Sequence, residues 1–192
     1  MLASGSGSNL QALLETPAVR PHIALVVSDR PGARALERAI EHGVRTETVL
    51  WADSDDRDSF SMAVADVVEA SGAKGVVLAG FMRILGPTFI ARFPDRILNI
   101  HPSILPAFPG AHAVEAALAH GVAVSGVTVH IVDEGVDTGP IVAQVPVGVD
   151  PDDTVKTLHA RIQRVEHRVY PDVVTAFVEG RIEVVDRKVV LR

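Results

Sequence analysis

The sequence contains no cysteine, few aromatic residues and no long apolar run. Without cysteine there is no disulfide framework, no thiolate metal ligand and no cysteine nucleophile. Aromatic residues make up only 4% of the 192 residues, so the core must be built from valine, alanine, leucine and isoleucine. No apolar stretch approaches the ~20 residues that a membrane-spanning helix requires. These absences favour a globular protein without covalent cross-links.

Basic residues are also few. Lysine and arginine number 18 against 24 aspartates and glutamates, a formal net charge of −6. Non-specific binding to nucleic acid or to an anionic membrane needs a basic face, so we expect neither partner. The chain opens without the basic and apolar regions of a secretory signal, so we predict a cytoplasmic location. Hydrophobic residues are 47% of the chain, which excludes intrinsic disorder.

Strand-like and helix-like segments alternate along the chain and predict a doubly wound α/β fold. The apolar run 22–28 is typical of a strand buried on both faces, and the helical pattern at 34–42 follows it. This rhythm predicts a mainly parallel, Rossmann-like sheet with helices on both faces. The strand-like runs 124–132 and 141–149 follow each other directly, which predicts an antiparallel extension in the C-terminal lobe.

The remaining pattern completes this prediction of one domain, 1–192, with lobes at 1–100 and 101–192. Further strands are predicted at 46–50, 75–79 and 96–101, helices after Asp56, at 87–94, 114–120 and 154–179 with a bend at Pro171, and a hairpin at 182–191. Only three residues precede Ser4, fewer than a typical strand of about 5–6 residues. We therefore expect either an unusually short first strand or missing upstream residues.

A glycine- and serine-rich turn, Ser4–Asn9, runs directly into a helical pattern that begins at Leu10. Such a turn can direct the free N–H groups of a helix N-terminus at a phosphate. A plain turn with Ser8 as the N-cap explains the pattern equally well. Asp29 lies where a ribose-binding acid of a nicotinamide site would be, but Leu10 occupies the third glycine position of that fingerprint.

Asn99 and His101 lie on the same face at the carboxyl end of a predicted strand, with Ile100 on the other. A carboxamide can stabilise an oxyanion and an imidazole can move a proton, and ligand sites of α/β sheets fall at such strand ends. A hydrogen-bonded strand terminus before the proline-rich loop 102–110 is the alternative explanation.

The loop from Asp133 to Pro140 connects two apolar strands. An aspartate in this loop could face His101 and favour its protonated form, although Asp and Gly are also ordinary turn residues. His130, Asp133 and Asp137 raise the question of a metal site. The chain has no His-x-His or Glu-x-x-His pair among them, so we predict no metal.

Together these segments resemble the glycinamide ribonucleotide formyltransferase family of purine biosynthesis. Five blocks carry the resemblance in order, namely SGSGSNLQA from Ser4, LAGFMRIL from Leu78, LNIHPSILP from Leu98 with FPG from Phe108, DTGP from Asp137, and EH with YP from Glu166. Each block is modest alone, and their order and spacing are specific. The resemblance covers essentially the whole chain.

The resemblance implies transfer of the formyl group of 10-formyltetrahydrofolate to the amine of glycinamide ribonucleotide, by direct attack through a tetrahedral intermediate. Asn99 would hold the oxyanion, His101 would shuttle the proton, and Asp137 would favour the protonated form of His101 and orient it. The ribonucleotide would bind to Gly7, Ser8, Asn9 and Glu166. The folate would bind to Arg57, Met82, Arg83, Ile84, Leu85, Asn99, Asp133, Glu134, Gly135, Val136 and Asp137. No metal is implied, and a homodimer is possible.

Related activities are weighed against this one by length and charge. A 10-formyltetrahydrofolate hydrolase would use the same three residues with water as acceptor, but such enzymes usually carry an added N-terminal domain. A methionyl-tRNA formyltransferase has an added C-terminal domain and needs a basic surface. A nucleotide-binding module without catalysis leaves Asn99, His101 and Asp137 unexplained.

Thr138 replaces a glycine often found in the family, and we expect it to stiffen the folate loop.

Overall fold

The computed structural model describes all residues, 1–192, and divides into two compact units, Met1–Leu98 and Asn99–Arg192. The helices are α1 Ser8–Leu14, α2 Arg34–Glu41, α3 Arg57–Ala70, α4 Pro87–Arg92, α5 Ala113–His120 and α6 Val155–Val178. The strands are β1 Val26–Ser28, β2 Thr46–Thr48, β3 Val76–Leu78, β4 Ile97–His101, β5 Val124–Ile131, β6 Ile141–Gly148, β7 Ile182–Val185 and β8 Lys188–Leu191. The predicted mixed α/β fold with a mainly parallel sheet is confirmed. None of the helices has the length and apolar character needed to span a membrane.

The first unit contains the parallel strands. β1 pairs with β2 in parallel, with Val26 opposite Thr46. Leu2 forms parallel bridges to Val27 on one side and to Leu78 on the other, and its side chain is fully buried. The segment before the glycine-rich turn therefore lies between β1 and β3, and the turn itself starts at the carboxyl end of these strands.

β1 is shorter than the predicted strand 22–28. Residues Arg20–His22 form a single 3-10 turn with Pro21 at its start, and the ladder to β2 begins only at Val26. Proline has a fixed φ and no N–H, so it suits the beginning of a helical turn and not a buried ladder. The apolar pattern of the sequence therefore overestimated the length of the strand.

The second unit contains the antiparallel extension. The end of β4 neighbours β5, and β5 pairs antiparallel with β6, with Val124 opposite Gly148. α6 begins after a capping box formed by Thr154 and Thr157 and continues as one helix through Pro171. Its buried side chains recur at helical spacing, as at Leu158, Ile162, Val165, Tyr170 and Val174. β7 and β8 form the predicted hairpin.

Candidate active site

Asn99 and His101 lie in the last half of β4, where the strand ends. His101 is buried, and its ring is held at both nitrogens. Nδ1 lies 3.2 Å from Oδ2 of Asp137, and Nε2 lies 2.8 Å from the carbonyl oxygen of Phe108. Both partners can only accept a hydrogen bond, so this arrangement fits an imidazole that carries a proton on each nitrogen.

The proline-rich loop after β4 supplies two backbone groups to this site. Phe108 has a φ of 54°, in the left-handed region that a bulky residue rarely adopts, and its carbonyl accepts from His101. Two residues further on, the N–H of Gly110 donates to Oδ2 of Asp137 at 2.7 Å. The loop therefore holds the imidazole and the carboxylate through its main chain, and these backbone contacts were not predicted from the sequence.

Asp137 connects the members of the site. Its Oδ1 lies 3.4 Å from Nδ2 of Asn99 and its Oδ2 contacts His101, so the structure brings together the three residues predicted as catalytic. Burial raises the pKa of Asp137, but the hydrogen bond from the Gly110 N–H and the neighbouring His101 together hold that pKa below its usual value. Asp137 is therefore a carboxylate at neutral pH.

His130 is a further member of this site that the sequence analysis considered only as a metal ligand. Its Nδ1 lies 3.0 Å from the carbonyl oxygen of Ile131, so this nitrogen carries the proton. Nε2 lies 3.1 Å from Nδ2 of Asn99, which can donate to it when the ring is neutral. The β5–β6 register shifts between Val129 and His130, and such bulges redirect side chains beside active sites. No local pattern in the sequence of β5, which also contains Ser125 and Thr128, distinguishes His130 as a site residue. No group of three or more His, Cys, Asp or Glu side chains is arranged to hold a metal ion.

The glycine-rich turn belongs to the first unit. Gly7 is the N-cap of α1 with a φ of 68°, so the helix begins at Ser8 and Ser8 itself is not the cap. A Cβ on Gly7 would lie 2.8 Å from the Cα of Ala35, so only glycine fits this close approach to α2. Arg38 contacts the same turn, because its Nε donates a hydrogen bond to the carbonyl oxygen of Ser6 at 2.9 Å.

The residues predicted to bind folate fall into two groups. In the first unit, Arg57 is the first residue of α3, and Arg83 pairs with Asp29. Met82 and Ile84 are exposed, whereas Leu85 is buried. In the second unit lies the loop Asp133, Glu134, Gly135, Val136 and Asp137, with Val136 exposed. Oδ1 of Asp133 accepts from the N–H of Gly135 at 3.1 Å and from the Thr138 hydroxyl at 2.6 Å. This second bond links the two ends of the loop through side chains.

Glu166, the remaining predicted contact of the ribonucleotide, is buried on α6 in the second unit. Tyr170 lies one turn further along the helix and is fully buried. Burial raises the pKa of Tyr170 well above its usual value, and the charge of Glu166 adds to the effect.

A carboxamide, an imidazole and a carboxylate that converge at the end of β4 form a site suited to acyl-type transfer. The Formyl transferase family matches residues 1–174 of the chain. The chain therefore belongs to the formyl transferase family and is an enzyme of that class.

The relatives of the chain within this family share one name. It is 49% identical over 190 residues to the phosphoribosylglycinamide formyltransferase of Mycobacterium tuberculosis, covering 97% of this chain and 87% of the relative. It is 38% identical over 186 residues to that of Escherichia coli, covering 95% and 88%. The crystal structure of glycinamide ribonucleotide transformylase 1 from Symbiobacterium toebii matches with a TM-score of 0.94 and 46% identity, over 99% of this chain and 91% of that one. The chain groups with the phosphoribosylglycinamide formyltransferases.

Proposed function

We propose that the enzyme transfers the formyl group of 10-formyltetrahydrofolate to the amine of glycinamide ribonucleotide, releasing tetrahydrofolate. The observation that carries this proposal is the cluster of Asn99, His101 and Asp137 in a chain of this family. The relatives of the chain are named as transferases, and hydrolysis of the formyl group has no support among them.

In the first step the acceptor amine attacks the formyl carbon, and the carbonyl electron pair moves to oxygen. Asn99 donates an N–H to this oxyanion. Both N–H groups of Asn99 have partners in the structure, and the 3.4 Å contact to Asp137 is the longer and more easily exchanged one. The anchor to His130 keeps the amide plane in place during this exchange.

In the second step the bond between the formyl carbon and N10 of the folate breaks. The leaving nitrogen needs a proton and the attacking amine must lose one. His101 donates the first proton and recovers one from the amine, so protons balance over the cycle. Asp137 remains ionised throughout and stabilises the imidazolium form of His101.

Binding of the two substrates is assigned to the remaining predicted residues. The N–H groups of Gly7, Ser8 and Asn9 bind the phosphate of the ribonucleotide, since the positive end of the helix dipole favours an anion at a helix N-terminus. Glu166 accepts hydrogen bonds from the same substrate. The folate is held by Arg57, Met82, Arg83, Ile84 and Leu85 and by Asn99 with the loop Asp133, Glu134, Gly135, Val136 and Asp137.

The test is release of tetrahydrofolate from 10-formyltetrahydrofolate, followed with and without glycinamide ribonucleotide. We expect release only when the acceptor is present, in proportion to its amount. Release at the same rate without acceptor would assign the chain as a hydrolase and overturn the proposal.

We also propose where the reaction takes place and which components it needs. The reaction takes place in the cytoplasm between two small molecules, with no metal, nucleic acid or membrane. A chelator in the assay should leave turnover unchanged. Sedimentation across a range of protein concentrations tests whether the chain forms a homodimer.

A further inference from the structure

The hairpin of β7 and β8 contacts the loop that carries Asp137. Its tip consists of Asp186 and Arg187, the two residues between Val185 and its partner Lys188. Nη2 of Arg187 donates to the carbonyl oxygen of Thr138, the residue after Asp137, at 2.6 Å. Arg187 lies beyond the residues 1–174 that match the family. The contact therefore joins the site to an element outside the matched domain.

The position of Arg187 is set by the backbone of the hairpin. Asp186 has a φ of 55°, in the left-handed region that two-residue hairpin turns commonly use. At the other end of the hairpin, the N–H of Arg192 donates to the carbonyl oxygen of Arg181 at 2.9 Å. β8 lies beside β6, and β6 begins at Ile141, shortly after Thr138. The hairpin and the loop thus share β6 as a common support.

The backbone of Asp137 depends on support from its neighbours. Its φ is 56°, and residues other than glycine keep such a conformation only where the surrounding structure fixes it. Thr138 is held at its hydroxyl by Asp133, at 2.6 Å, and at its carbonyl by Arg187. A Cβ on Gly139 would lie 1.8 Å from the carbonyl oxygen of Ile131, so the next residue packs closely on the end of β5. The chain is therefore held directly after Asp137.

The carboxylate of Asp137 tolerates little displacement. Its Oδ2 lies 3.2 Å from Nδ1 of His101 and accepts from the Gly110 N–H at 2.7 Å. Hydrogen bonds weaken steeply when the distance or the angle departs from this range. The bond from Arg187 has an ionised donor, which makes it stronger than a bond between neutral groups. Loss of this bond would release the Thr138 carbonyl and let the Asp137 carboxylate turn away from His101.

We propose that Arg187 is a positioning residue that holds the backbone after Asp137, so that the carboxylate faces His101. This inference rests on the proposed function, because the role of Asp137 in formyl transfer is part of it. Arg187 acts through Thr138 and binds neither substrate. Its loss therefore lowers the rate of the chemical step and leaves the binding of both substrates unchanged.

The test compares two variants that differ in one contact. Arg187→Met removes the guanidinium and keeps an unbranched side chain. Lys188→Met is the matched control, because it removes the same charge from the neighbouring exposed residue of the hairpin. The kcat and the KM for each substrate are measured for both variants and for the unaltered protein.

For Arg187→Met we expect kcat to fall by about fivefold, the rate equivalent of one net hydrogen bond. Both KM values should stay within about twofold of the unaltered protein, as expected for an interaction that matters only in the transition state. Lys188→Met should leave kcat and both KM values unchanged.

A double-mutant cycle tests whether Arg187 acts through Asp137. Arg187→Met is combined with Asp137→Asn, and the rates are measured in single turnovers with excess enzyme. In the Asp137→Asn background, Arg187→Met should cost less than about twofold, because the carboxylate that it positions is already absent. A loss of equal size in both backgrounds would show that Arg187 acts independently of Asp137 and would overturn the inference.

Three further results would also overturn the inference. An unchanged kcat in Arg187→Met would show that the contact has no effect on the reaction. A higher KM for 10-formyltetrahydrofolate with an unchanged kcat would assign Arg187 to substrate binding. Equal losses in Arg187→Met and Lys188→Met would assign the effect to charge alone. Failure of the unaltered enzyme to formylate glycinamide ribonucleotide would instead overturn the proposed function, so the two failures are distinguishable.

Discussion

The imidazole of His101 and the carboxylate of Asp137 are 3.2 Å apart, measured from Nδ1 to Oδ2. The carbonyl oxygen of Phe108 holds the other side of the ring at 2.8 Å. Because both nitrogens face acceptors, the ring is fixed in orientation and suited to carry the proton that it delivers. The carboxylate is fixed in turn by the Gly110 N–H.

Asp137→Asn should lower kcat by about 10²- to 10⁴-fold, the usual contribution of a positioned acid–base group. The amide has nearly the same shape, but it cannot stabilise a positive charge on His101. The measurement is kcat at saturating concentrations of both substrates. Asp172→Asn, an exposed carboxylate on α6, is the matched control and should leave kcat unchanged. A kcat for Asp137→Asn near that of the control would show that Asp137 has no part in the proton shuttle.

The lowered pKa of Asp137 predicts how its contribution to stability depends on pH. A carboxyl group whose pKa is lower in the folded state stabilises the fold above its unfolded pKa, which is about 4. This contribution is lost as the pH falls through the lower, folded value. The difference in urea midpoint between the unaltered protein and Asp137→Asn should therefore shrink as the pH falls below about 4. A difference that grows on acidification would contradict the assigned direction.

His130 should act by positioning Asn99. His130→Leu removes the acceptor for the Asn99 amide, and loss of one hydrogen bond of about 1 kcal/mol predicts a kcat lower by roughly fivefold to tenfold. His130→Gln keeps a carbonyl acceptor on that side and should recover part of the loss, with the KM values unchanged in both variants. Equal kcat values for His130→Leu and His130→Gln would indicate that the histidine only fills space.

The order of the elements could be predicted from the sequence because their patterns are strong. The continuous apolar runs predict β1 and β3, and the acids before α3 predict its start, which the structure confirms with an Asp56 cap. The lengths of the strands were harder to predict, as β1 shows. An apolar pattern indicates which residues are buried, but it does not indicate which of them form backbone hydrogen bonds to a neighbouring strand. The bounds of a strand depend on its partner, and pairing is a property of the folded chain.

Only part of the candidate site could be predicted from the sequence, namely the side chains that belong to recognisable local patterns. Asn99 and His101 share a face by simple alternation, and Asp137 stands in a recognisable loop. The carbonyl of Phe108 and the N–H of Gly110 could not be assigned roles, because main-chain groups leave no residue-type signal. His130 acquires its position through a register shift in the β5–β6 pair, which no local pattern of β5 shows.

Gly7→Ala should destabilise the protein and weaken binding of the ribonucleotide. A side chain there is disfavoured by the φ of 68° and would lie within 2.9 Å of the Cβ of Ala35, so we expect a loss of about 1–3 kcal/mol in the free energy of unfolding. The KM for glycinamide ribonucleotide should rise because the turn must shift. Gly5→Ala is the control for stability, since its Cβ would contact nothing within 4 Å. Equal unfolding free energies for the two variants would contradict the importance of the close approach to α2.

The destination of the formyl carbon distinguishes transfer to the ribonucleotide from hydrolysis. The enzyme is given 10-formyltetrahydrofolate labelled with carbon-13 in the formyl group, together with glycinamide ribonucleotide, and the products are followed by carbon NMR. We expect the label to appear in a formamide on the ribonucleotide. The rate should fall by at least about a hundredfold in Asp137→Asn, the lower bound for loss of a positioned acid–base group. Label that accumulates as free formate, or a formamide formed as fast by Asp137→Asn as by the unaltered enzyme, would contradict this expectation.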